Sequence, residues 1–505
     1  MFESGNLWHK RMLVACYSLR GPLAGLLCPF VFALGLAAHS TPVLPLQETV
    51  TAYVKDTRRA PAVAVALLTP EGVQIATAGN PGRQREVHAG TLFEIGSVTK
   101  VMTGILLAEM VADGTVSLGT TVGQLMPGDR RLDPQVAEIT LRELATHTSG
   151  LPRLPETLEM HWRVVRHPAN PYGGLKPDDI FDAVAALSAD ELGTRGRFAY
   201  SNLGPALLGR LLERAAGQPY ESLMTERVLK PLGLLHTQFT REVLGDPRLA
   251  RPHRGNLRPT QNWTLDAYNP AGGLSSNLAE MRRFLHAAMT ARPDSPLGVS
   301  LAIHWSDEAG EWASGLGWAI TRRDGETIIW HNGRTGGYYA FVGFLPERQR
   351  GLVLLSNASH DGDALAVSLL RGEYALPKPP RDWFSLGLTL FLVVLAPLAA
   401  HSYRAHALAT LSGHAKVPAG RINLASASLY AAFILTLKWK VGAWAVVPEL
   451  FWWAGASATA ALLAASLPAT ARLPWLPAVP GWRLVLLLMG IGASALLLFW
   501  VAFQV

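Results

Sequence analysis

Cysteine is almost missing from this 505-residue chain: there are two, Cys16 and Cys28, both close to the N-terminus. Once a leader there is removed, no thiol remains for a disulfide or a Cys-based metal site, and stability rests on packing. Charge is sparse too, at 16% of residues, against about a quarter in ordinary soluble chains. The formal balance of +7 contains no Lys/Arg block of the kind that tracks phosphates, so nucleic acid is not an expected partner. No Gly-x-Ser-x-Gly elbow occurs, which argues against an α/β-hydrolase, and no His-Glu-x-x-His, which argues against that class of zinc peptidase. The central region has neither an internal repeat nor a low-complexity tract.

Apolar residues are abundant, 49% of the chain, and they concentrate at its two ends. Lys10, Arg11 and Arg20 precede an apolar stretch from Gly21 to Ala38 that ends in small residues. Residues 1–40 therefore read as a secretory signal cleaved near 37–40, with an uncleaved N-terminal anchor as the alternative. Either one exports the central region. Beyond a Pro-rich linker at 376–383 come four apolar runs, roughly Phe384 to Ala400, Leu424 to Leu437, Val447 to Leu467 and Leu484 to Phe503. Each is close to the ~20 residues that span a bilayer. The second is short and flanked by Lys438 and Lys440, so three spans is the alternative count.

Residues 384–505 are thus expected to form a transmembrane bundle of about four helices with membrane lipid around it. Arg404, Lys416 and Arg421 in the first connection, with Arg472 and Arg483 in the third, place those loops in the cytoplasm and residues 41–375 outside. The centres of the first and last runs carry no ionisable residue, which favours an anchor over an ion path. His401, His406 and His414 read as solvated loop residues, and the small residues from Gly455 to Thr459 suit close helix packing.

Between these ends, residues 41–375 alternate in pattern. Val63 to Leu68 and Val73 to Thr77 flank Thr69-Pro70-Glu71-Gly72 as a hairpin. Further strands are expected at 317–320, 327–330, 339–344 and 352–355, and a helix at about 363–371. Strands at both ends with helices between them imply an antiparallel sheet built from both termini of the domain and a helical insertion.

The chemistry lies in three segments. Phe93-Glu94-Ile95-Gly96-Ser97-Val98-Thr99-Lys100 opens an apolar helical run, and side chains at i and i+3 share a helix face. A serine hydroxyl thus stands beside an amine at a helix start, where unpaired N–H groups favour negative charge. Phe198-Ala199-Tyr200-Ser201-Asn202 opens a second helix, and Ile328-Ile329-Trp330-His331-Asn332-Gly333 reads as a strand ending on glycine. His147 and Ser149, adjacent in a turn, read as structural.

This order, Ser-x-x-Lys, Tyr-x-Asn, then Lys/His-x-Gly, resembles the penicillin-recognising serine hydrolases: class C β-lactamases, D-alanyl-D-alanine carboxypeptidases and their esterase and D-peptidase relatives. The likeness extends to the segments 143–152, 270–276 and 351–357. It implies a β-lactamase-like α/β (α+β) fold, an antiparallel sheet flanked by helices beside an all-helical lobe, with the site in the cleft between. It also implies a serine hydrolase without cofactor or metal, in which Ser97 is the nucleophile and Lys100 and Tyr200 relay its proton. Asn202 orients Lys100 and the substrate, and the backbone N–H groups of Ser97 and Arg334, just after Gly333, form the oxyanion hole.

His331 stands where the family commonly carries lysine, and Asn332 where it carries threonine or serine. Carboxylate recognition is then weakened unless Arg334 or Arg323 supplies it. The expected activity is hydrolysis of D-amino-acid amide, β-lactam-like or ester bonds on the periplasmic face of a bacterial inner membrane, with a small-molecule or peptide substrate of the cell envelope. A natural-product prodrug D-peptidase of the same fold and a penicillin-binding sensor without turnover are the alternatives. Substrate identity and oligomeric state are not legible.

Overall fold

The computed structural model describes residues 46–503 apart from 58–59, 83–85, 156, 158–159, 161, 164–165, 168, 324, 377–382 and 442–449. The expected signal or anchor at 1–40 lies outside them, as does most of the linker at 376–383.

Helix α1 (Leu46–Thr57) precedes the expected hairpin of β1 (Ala62–Thr69) and β2 (Gly72–Gly79), in which Thr69 stands opposite Gly72. The other strands are β3 (Leu92–Glu94), β4 (Gln238–Phe239), β5 (Leu274–Asn277), β6 (Trp305–Ser306), β7 (Trp312–Ser314), β8 (Ala319–Arg323), β9 (Glu326–Arg334), β10 (Tyr339–Leu345) and β11 (Arg350–Ser356). Eight form one sheet in the order β2-β1-β11-β10-β9-β8-β7-β6, and its pairings are antiparallel. The two ends of the domain thus meet at β1 and β11, as the sequence pattern implies. The short strands β3, β5 and β4 form a second sheet.

Strand β1 explains the layering. A strand buried on both faces reads as a continuous apolar run, and β1 is Ala-Val-Ala-Val-Ala-Leu-Leu-Thr. Val63, Val65 and Leu67 pack with Val50 and Tyr53 of α1 and with Leu365 and Leu369, while Ala62, Ala64 and Ala66 belong to the larger core on the opposite face. Small residues on that face let helices approach. On that face α4 (Leu278–Met289) packs on β1, with α2 (Thr99–Ala112) and α3 (Leu203–Ala216) in the same core, while α5 (Asp363–Arg371) lies on the α1 side. Phe284 of α4 stacks on the buried Trp318 at 5.9 Å between ring centroids; truncating such a ring costs about 3–5 kcal/mol.

Between β3 and β4 the described residues hold helices and no strand. One short helix, Leu141–Thr146, starts at a Thr140/Glu143 capping box and ends on His147, in the left-handed region at φ 61°.

Four helices lie at the C-terminal apolar runs: α6 (Trp383–Leu411), α7 (Ile422–Val441), α8 (Leu450–Thr470) and α9 (Gly481–Phe503). Helix α6 continues through His401, Arg404 and His406, against the loop expected there from sequence. It does so because Tyr403 and Ala407, one turn apart, bury against Ala469 and Leu473. Gly455 of α8 takes Val393 of α6 at a distance that a Cβ would not permit. Among the described residues, α8 is the helix long and apolar enough to cross a membrane by length and composition.

Candidate active site

Ser97 sits in a single tight turn, Gly96–Val98, between β3 and α2. Strand β9 passes so close to this turn that side chains are excluded from both. A Cβ on Gly333 would lie 1.9 Å from the Ile95 carbonyl oxygen, and one on Gly96, whose φ is +50°, would lie 2.9 Å from the Arg334 nitrogen. Only glycine accepts both the close approach and the positive φ. The result places the backbone nitrogens of Ser97 and Arg334 beside one another.

Lys100 lies on the first turn of α2 and is 2% exposed. Its Nζ is 2.8 Å from Ser97 Oγ, 2.9 Å from Asn202 Oδ1 and 2.6 Å from the Ala271 carbonyl oxygen. Burial, with the positive charge of Arg153 nearby, holds its proton affinity well below that of a free lysine. In the neutral amine, the two acceptor-only oxygens of Asn202 and Ala271 take the two N–H groups, and the lone pair is left pointing at Ser97. The other end of the Asn202 amide, Nδ2, donates to Tyr172 Oη at 3.1 Å.

Tyr200 donates to Ser97 Oγ at 2.8 Å. Burial pushes its phenol up to about 12, so near neutral pH it is a proton donor. The segment that carries it is clamped by His147: Ala199 N donates to the His147 carbonyl at 2.8 Å and Ser201 N to His147 Nδ1 at 3.2 Å. The His147 ring lies 4.5 Å from that of Tyr200. The residue read as structural is therefore a positioning residue for the tyrosine, while Ser149 only holds its own turn through Leu151 N.

His331 is buried, and burial beside Lys100 pushes its imidazole down to about 3. It carries no charge at neutral pH, rather than the fractional one expected of a free imidazole. Asn332 donates to both carboxylate oxygens of Asp363 at 2.9 Å. The Arg334 guanidinium pairs loosely with Asp361 at 3.7 Å. Arg323 is not at the site: it stands opposite Glu326, at the end of β9 remote from Arg334, about 27 Å along the strand. The cation that sequence reasoning missed is Arg153, whose guanidinium lies 5.4 Å from the centre of the Tyr200 ring.

Glu94, just before the turn, also escaped notice. Its carboxylate accepts from Asn262 Nδ2 at 2.8 Å and Trp263 N at 3.0 Å. Burial raises it from 4.5 to about 7, against the pull of hydrogen bonds from Thr335, Asn262 and Trp263. Between those two values the folded protein keeps a proton that the unfolded chain has released, so stability falls as pH rises through that window. The expected loss is about 3 kcal/mol. Thermal melts of wild type should decline from pH 5 to 8, and those of Glu94→Gln should stay level; parallel curves would remove the buried-acid assignment.

Tyr200 lines one recess and its hydrogen-bond partner Ser97 lines another, and no residue lines both. The smaller holds Ser97 among Tyr172, Asn202, Trp263 and Tyr268. The larger lies beyond Tyr200 and His331.

A sequence profile described as β-lactamase matches residues 46–375 of this chain. The chain belongs to the β-lactamase family. It is a serine hydrolase of the β-lactamase and penicillin-binding protein type, with a helical region C-terminal to the match. Among β-lactamase family members it is 26% identical over 359 residues to a β-lactamase of Escherichia coli K12, covering 63% of this chain and 89% of that protein. It is 28% identical over 296 residues to the D-alanyl-D-alanine-carboxypeptidase/endopeptidase AmpH of the same organism, covering 55% and 74%. The fold is similar to that of a class C β-lactamase from Rhodobacter sphaeroides, with a TM-score of 0.54 at 20% identity over 65% of this chain and 97% of that one.

Proposed function

We propose that this enzyme is a membrane-anchored acyl hydrolase of the cell envelope that cleaves D-amino-acid amide or related ester bonds through a Ser97 acyl-enzyme. The observation that carries the reading is the buried Lys100 amine, with its Nζ 2.8 Å from Ser97 Oγ and its proton affinity lowered by burial.

In the first half-reaction Ser97 Oγ attacks the substrate carbonyl carbon while its proton passes to Lys100 Nζ. The N–H groups of Ser97 and Arg334 hold the developing oxyanion, a type of device worth about 3–4 kcal/mol per donor. Tyr200 delivers a proton to the leaving nitrogen or oxygen and is reprotonated from Lys100. Water then repeats the sequence in reverse and frees the acid. Asn202 holds Lys100 in place throughout. D-amino-acid amides lead the substrate classes because a relative is named for D-alanyl-D-alanine cleavage.

Membrane anchoring is supported by the C-terminal helices. Leu450, Met489 and Leu496 are 74%, 65% and 72% exposed, a surface suited to lipid. Arg421 donates to the carbonyls of Leu473 and Ala471, at 2.8 Å each, so the first and third connections lie at one end of the bundle. Their basic residues then face the cytoplasm together, with the catalytic domain on the periplasmic side.

Purified wild type and Ser97→Ala, assayed against D-alanyl dipeptides, a penicillin and small esters, test the reading. Ser97-dependent turnover is expected. A stable Ser97 adduct without turnover would instead favour a sensor, and D-asparaginyl amides cleaved in preference to D-alanyl ones would favour prodrug removal.

A further inference from the structure

We propose that the cavity beyond Tyr200 receives the leaving side of the substrate, and that the group it selects is flat and uncharged and carries a hydrogen-bond acceptor. This rests on the serine-hydrolase reading, because it uses Tyr200 as the group that protonates the leaving atom. A proton donor must stand beside the atom it protonates. The leaving side therefore lies toward Tyr200, which also forms one wall of the cavity.

Three features define what fits. The volume is about 130 Å³, close to the roughly 150 Å³ of an apolar cavity that accepts a benzene ring. The walls are aromatic: Trp312 meets Phe198 at 5.1 Å and stands edge-on to Trp330 at 6.2 Å. No Asp, Glu, Lys or Arg lines it among the described residues. Burial holds both lining histidines neutral, so no positive charge there answers a carboxylate.

Polar groups supply the rest of the specificity. Trp312 Nε1, Ser314 Oγ and His147 Nε2 are buried and have no hydrogen-bond partner among the described residues, and all three residues line this cavity. The neighbouring indoles are different: Trp318 Nε1 donates to Ser300 Oγ and Trp330 Nε1 to Thr321 Oγ1, each at 3.2 Å. His147 Nδ1 already accepts from Ser201 N, which puts the ring proton on Nε2 and makes it a donor. Buried groups of this kind nearly always have partners. Two donors and a hydroxyl, unpartnered and carried by residues that line one aromatic cavity, match a carbonyl, amide or ether oxygen on a ring.

The test compares two substrates, N-acetyl-D-alanine 4-carbamoylanilide and N-acetyl-D-alanyl-D-alanine, which differ only on the leaving side. Intrinsic reactivity cancels when the ratio of their kcat/KM values is compared across variants. Ala319→Phe, which places a ring in the cavity, should lower the anilide-to-dipeptide ratio at least ten-fold. Ser314→Ala, nearly isosteric, should lower it about three-fold and carries the test if the first variant does not fold. Acylation of Ser97 by a fluorescent penicillin verifies an intact site in each. Ratios unchanged in penicillin-reactive variants overturn this inference alone. A folded wild type that cleaves neither substrate and takes no penicillin overturns the serine-hydrolase reading and this inference with it.

Discussion

Lys100→Met lowers kcat/KM roughly a thousand-fold on every ester or amide that the enzyme accepts, within the 10²–10⁴ range that a positioned base contributes. Methionine keeps the volume of the buried stem but removes the lone pair that faces Ser97 at 2.8 Å. Asn202 Oδ1 and the Ala271 carbonyl lose a donor, which costs about 1–3 kcal/mol of stability; the variant still folds. Lys100→Arg should be equally inactive, since a guanidinium keeps its proton under all working conditions. The pH profile of wild type is expected to show an acid limb set by Lys100, far below the ordinary lysine range, because burial disfavours its charged form. Steady-state kinetics with parallel thermal melts check this. Retention of more than a tenth of the activity by Lys100→Met would show that another group removes the Ser97 proton.

Tyr200→Phe lowers amide turnover roughly a hundred- to a thousand-fold and aryl-ester turnover much less. The reason is the state of the phenol. Raised to about 12, it remains protonated across the usable pH range and acts as an acid. A departing amine needs that proton and a phenolate does not. The split between the two substrates is therefore the informative readout, together with the absence of an alkaline limb below about pH 10. Equal losses on both would mean that Tyr200 acts mainly before the leaving group departs.

Much of the site is legible in the sequence because its parts are linear. Ser97 and Lys100 are one helical turn apart, and Tyr200 and Asn202 flank a single residue at a helix start, so local spacing already places each pair. The residues missed are those whose role depends on burial or on strand pairing. Glu94 lies inside the very motif that reveals Ser97, yet only the packing of Asn262 and Trp263 over it makes it unusual. Arg323 is an alternative to Arg334 as a carboxylate partner on charge alone, but antiparallel pairing of β8 with β9 carries it the other way. Trp312 and Ser314 belong to a three-residue strand, too short for any period to show. The eight-stranded sheet is readable at its long strands and opaque at its short edge. In the C-terminal region the apolar runs mark the helices, whereas the extension of α6 past His401 depends on contacts with α8.

The central claim is that a neutral Lys100 makes Ser97 a nucleophile that carries the acyl group. The most direct measurement is intact-mass and peptide-mapping mass spectrometry of wild type, Lys100→Met and Ser97→Ala after brief exposure to a penicillin and to a D-alanyl ester. The account predicts an acyl mass on the peptide containing Ser97 in wild type, a greatly slowed appearance of it in Lys100→Met, and none in Ser97→Ala. Acylation at another residue, or at Ser97 with an undiminished rate in Lys100→Met, would contradict it.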